Sequence, residues 1–111
     1  MMDRMFVGGC VVVVIVVVIG AVALQAHHYD VTDGMERDLI RVERDPAAFA
    51  AAVEQHLDQA KSFWRRVCLR NALVHIHAKE KLVRLAEQEQ DVRTTRRYYD
   101  LAIRVSDIER D

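Results

Sequence analysis

Residues 6–24 read FVGGCVVVVIVVVIGAVAL, nineteen positions without a charge. As a helix rising about 1.5 Å per residue the run is roughly 28 Å long, close to the hydrocarbon thickness of a bilayer. Its valines favour a strand in water, because branching at Cβ suits an extended backbone. In lipid a lone strand leaves its backbone groups unpaired, whereas a helix pairs them within the segment. The run therefore predicts a single N-terminal transmembrane helix over 6–24, preceded by a short tail over 1–5.

A cleaved secretory signal follows a similar plan, but its apolar centre is usually about 7 to 15 residues. This run is longer, so an uncleaved signal-anchor is expected, with release by cleavage near Ala23 as the rival. Val7-Gly8-Gly9-Cys10 resembles a lipoprotein processing box, yet the apolar run follows the cysteine instead of preceding it. Arg4 lies directly against the span, and the nearest cations beyond it are Arg37, Arg41 and Arg44. Weighting charges nearest the ends places the N-terminus on the cytoplasmic or matrix side.

Beyond the anchor, 25–33 (QAHHYDVTD) reads as a polar juxtamembrane linker and 34–111 as an extramembrane helical region. A region this small buries a modest share of its surface, so partners are expected. The net charge of −1 gives no basic field for nucleic acid. Cys10 sits in the span and Cys68 far down the chain, which argues against an intrachain disulfide and for a buried free thiol at Cys68.

Asp33-Gly34-Met35-Glu36 has the form of a capping box, which predicts a short helix to about Arg44 with Met35, Leu39 and Val42 on one face. Asp45-Pro46 then ends one helix and begins the next, because proline suits the first helical position and disfavours helix in the residue before it. From Ala47 onward there is neither Gly nor Pro, and good helix formers dominate. One long heptad-bearing helix is the natural expectation.

Its heptad seam reads Val53, Leu57, Ala60, Trp64, Val67, Asn71, Val74, Ala78, Lys81, Leu85, Gln88 and Val92, nine of twelve apolar. Residues flanking the seam, among them His56, Lys61, Phe63, Arg70, His75 and Arg84, are mostly basic or apolar and would not attract one another in a parallel homodimer. Other membrane-complex subunits with acidic-flanked helices fit better, with a homo-oligomer as the alternative.

A second apolar face runs through Leu69, Leu73, Ile76 and Val83, so the middle of the helix carries more apolar surface than a single seam covers. Tyr98, Leu101, Val105 and Ile108 form a C-terminal amphipathic stripe that would cover it if the chain broke near 91–96 and folded back; a straight helix continuing outward, with both faces covered by other chains, is the alternative. Lys61, Arg65, Arg66 and Arg70 surround Phe63 and Trp64 in a basic patch suited to lipid headgroups or an acidic protein.

Chemistry is sparse. His27 and His28 lack further ligands, and His75 and His77, two apart on a helix, point away from each other. No phosphate loop, Cys-x-x-Cys pair or nucleophile elbow is present. No catalytic, cofactor or metal residue is assigned. The expectation is an all-α, non-catalytic, single-pass membrane protein that serves as an accessory or scaffolding subunit. A self-assembling envelope protein and a histidine-dependent metal or haem protein are the rivals.

Overall fold

The computed structural model describes residues 2–110, with side chains from residue 9 onward. The tail read at 1–5, including Arg4, and the first side chains of the anchor lie outside the described side chains. Among the described residues there are five helices and no strand: α1 (Met2–Arg41), α2 (Pro46–Gln59), α3 (Phe63–His75), α4 (Ala78–Gln88) and α5 (Val92–Arg110). The chain divides into two units, Met1–Asp30 and Val31–Asp111.

The first unit is helix throughout its described length and has no core of its own. Val11 to Ile19 are all at least half exposed, and the stretch is long and apolar enough to cross a membrane. His28 and Tyr29 meet edge to face at 6.1 Å near its end. Residues 25–33 are helical rather than a loose connector, and the helix passes through the expected start at Asp33 without a break. The capping box therefore forms no cap: Glu36, the residue expected to reach back, bonds His75 instead.

The second unit is built on the last turns of α1 and on α2 to α5. α1 stops at Arg41, and Asp45 caps α2 as the sequence predicts, its carboxylate accepting from the Ala48 amide at 3.3 Å. The single long helix expected after Pro46 is instead three, α2, α3 and α4. The first break falls at Ala60 to Ser62, where the Ser62 hydroxyl accepts from the Arg65 amide at 3.2 Å and starts α3 afresh. The second is at His77, the one residue among those described with a left-handed backbone, φ 57°. Each break lets an apolar face turn onto the same core, which outweighs the propensity for continuous helix.

α5 is the centre of the unit. It lies mainly along α4 and also packs on α2 and α3. Tyr98, Leu101, Ala102, Val105 and Ile108 are buried on it, facing Leu82 and Ala86 of α4, Leu69, Leu73 and Ile76 of α3, and Phe49 and Val53 of α2. Leu39, Phe49, Leu69, Leu73 and Leu82 are completely buried. Each contributes about 1.5 to 3 kcal/mol by leaving water. The C-terminal stripe folds back, one of the two courses the sequence leaves open, and the turn falls at Glu89 to Asp91, ahead of the 91–96 stretch where the break was placed. The Thr94 hydroxyl donates to Asp91 at 2.7 Å, and the Thr95 amide donates to the Asp91 carbonyl.

Candidate interaction surfaces

The two apolar faces read from the sequence have different fates. Leu69, Leu73, Ile76, Tyr98, Leu101, Val105 and Ile108 are buried together, and Val83 packs half-buried against them. The seam is split. Val53 and Ala60 belong to the core, and Leu57 and Leu85 lie partly buried against it. Val67 is half-buried, whereas Trp64, Asn71 and Val74 are exposed. The turn at Ala60 to Ser62 rotates the seam from the inside of α2 to the outside of α3.

α3 is therefore apolar on both sides. Its inner side carries Cys68, Leu69, Ala72 and Leu73, all buried. Its outer side places Phe63, Val67, Arg70 and Val74 at i, i+4, i+7 and i+11, with Trp64 and Asn71 alongside. Phe63 is 78 % exposed and its ring is stacked on that of Trp64, the planes 7° apart. Phe63, Val67, Arg66 and Arg70 of α3 and Ile108 of α5 line a shallow groove of about 160 Å³.

Four cations of the unit reach acids on other elements: Arg97 to Glu54 at 3.4 Å, Arg104 to Asp58 at 2.7 Å, Lys79 to Glu109 at 3.5 Å and Lys81 to Glu43 at 3.0 Å. Among the described residues Lys61, Arg65, Arg66 and Arg70 take part in no ion pair. Arg65 donates to the Gln59 amide oxygen and Arg66 to the Ala60 carbonyl, both neutral acceptors at 3.4 Å. No acidic residue occurs between Asp58 and Glu80.

A second outward stripe, not anticipated from the sequence, lies on α5. Val92, Tyr99 and Ile103 are exposed on the side away from the core. Their spacing of seven and four is a helical repeat that was legible beside the buried stripe.

The histidines act as ties between elements. His56 Nε2 lies 2.8 Å from Asp38 Oδ2, and His75 Nδ1 lies 2.8 Å from Glu36 Oε1, joining α2 and α3 to the end of α1. His56 Nδ1 and the Thr32 hydroxyl are buried without a hydrogen-bond partner. Among the described residues no three of His, Cys, Asp and Glu converge as metal ligands. Cys68 is buried and in no disulfide. An open groove of about 410 Å³ between α2 and α5 is lined by Ala51, Glu54, Asp58, Lys61 and Arg97. Compared with known protein families, curated proteins and solved structures, the chain matches none of them.

Proposed function

We propose that the chain is a non-catalytic, single-pass membrane protein that serves as an accessory or scaffolding subunit of a larger membrane-bound assembly. The observation that carries this reading is the pairing on one chain of an apolar helix with no buried residues in its most hydrophobic stretch and a helical unit that closes its own core. A span with that exposure needs lipid or other spans around it. The helical unit leaves Val92, Tyr99 and Ile103 outward on α5, a row that suits one part of a larger contact with another chain. Arg96 lies beside that row, so the partner helix is expected to carry an acid beside its apolar positions. On the same reading Arg4 holds the N-terminus on the cytoplasmic or matrix side.

Gentle detergent extraction of the full-length chain, followed by native mass determination and identification of every copurifying chain, tests the proposal. Different chains in fixed ratio to this one are expected. A lone homo-oligomer would replace the accessory role with self-assembly.

A further inference from the structure

We propose that the outer side of α3 docks on an anionic lipid surface. The inference rests on the membrane-anchored part of the reading above, and not on the accessory role. Its physical basis is the coincidence, on one side of one helix, of exposed aromatic rings and cations that no acid of the protein neutralises.

Phe63 and Trp64 stand at the start of α3, exposed and stacked. Aromatic rings of this kind gain at the boundary between headgroups and acyl chains. Val67 and Val74 continue the apolar line along the helix, and Arg66 and Arg70 border it. A helix with apolar residues on one side and cations beside them lies in the plane of a bilayer interface and prefers anionic lipid. Among the described residues neither Arg66 nor Arg70 takes part in an ion pair, and the stretch between Asp58 and Glu80 contains no acid. Anionic headgroups supply charge complementary to both.

The size of the surface favours lipid over protein as the source of that charge. α3 has thirteen residues. Its outer side is about 20 Å long and about 10 Å wide. This is well short of the roughly 800 Å² per partner that a stable protein interface needs. A bilayer requires no such closed footprint, since each ring and each cation gains separately at its surface. The tether supplies the rest: a chain held in a membrane keeps α3 at high local concentration beside the headgroups.

Trp64 is the only tryptophan, so its fluorescence reports this one surface. The full-length chain is placed in lipid nanodiscs at one chain per disc. One set contains phosphatidylcholine alone and the other phosphatidylcholine with phosphatidylglycerol. In the anionic discs Trp64 emission is expected to move to shorter wavelength and to be quenched by lipids spin-labelled near the headgroup. High salt should reverse both changes. Replacing Arg66→Gln and Arg70→Gln together lowers the docked-to-free ratio about 25-fold, at roughly fivefold per cation, and leaves the helical melt unchanged.

Emission and quenching that are identical in neutral and anionic discs overturn the proposal. So does a shift that survives the double substitution, or one that appears only with several chains per disc, which would identify a second copy as the occupant. A chain that alkaline washing strips from vesicles overturns the anchored reading itself, and this inference with it. A chain that stays in the disc with Trp64 unchanged overturns this inference alone.

Discussion

Residues 11–19 and residues 68–82 are both rich in large apolar side chains, and they end in opposite environments. In the first every side chain is between 50 and 63 % exposed, whereas in the second Leu69, Leu73 and Leu82 are at 0 %. Hydrophobicity alone does not separate them. Period does: the first is apolar at every position, so no protein face of ordinary width can cover it. The second carries its large residues every three or four positions and turns them onto α5. A continuous run calls for a solvent that is itself apolar, and a periodic one for a neighbouring helix.

The largest test of that comparison is Phe49→Ala, which empties the site of the bulkiest fully buried side chain. It is expected to cost about 3 to 5 kcal/mol in the melt of the helical unit, followed by circular dichroism of the full chain in nanodiscs. Membrane retention should not change, and loss of retention would show that the two regions depend on each other. Next comes Val14→Arg, with an insertion penalty of about 2.5 to 3.5 kcal/mol near the centre of the span. Alkaline extraction should release much more of this variant while the helical unit melts as before.

A smaller and opposite effect is expected at His77, whose left-handed backbone suits glycine. His77→Gly should stabilise the unit by about 0.5 to 1 kcal/mol, because relief of the Cβ strain exceeds the added chain entropy. Destabilisation on thermal melting would mean that the imidazole itself holds the α3–α4 turn. The smallest effect is Val74→Ala on the exposed side of α3, expected to change the melt by less than about 0.5 kcal/mol. A loss comparable to that of Phe49→Ala would show that this side is covered by a partner in the sample.

Much of the fold was legible in the sequence. The all-α class follows from helix-forming residues without Gly or Pro after Ala47, and the Asp45-Pro46 boundary from capping chemistry that acts within four residues. Tyr98, Leu101, Val105 and Ile108 announced an amphipathic C-terminal helix by their spacing, though not the direction in which it runs. The breaks at Ala60 to Ser62 and at His77 were not legible, because nothing local forbids helix there. They exist since Leu69 and Leu73 gain more by facing α5 than the chain loses in a few helical hydrogen bonds.

The same breaks explain why a heptad pattern was present without a continuous helix. Successive short helices, each apolar at three and four, preserve the count while the axis turns, so Val53 points inward and Val74 outward. The outer side of α3 could be seen in part as Phe63, Trp64 and the surrounding cations. What their sequence neighbours could not reveal was which cations find acids, since Arg104 reaches Asp58 and Arg97 reaches Glu54 only through the fold.

The helix on which α2, α3 and α4 all lean, α5, is the last of the five to be synthesised. At about 5 to 20 residues per second, the ribosome takes roughly 4 to 17 s to travel from Leu24 to Ile108. Throughout that interval Leu69, Leu73 and Leu82 exist without the surface that will cover them. The apolar run at 6–24, by contrast, is ready for lipid from the outset. On the anchored reading proposed above, birth order places each nascent chain on its tether before its core can form, and a message truncated after α4 yields an anchored chain with its inner apolar side bare, a natural target for quality control.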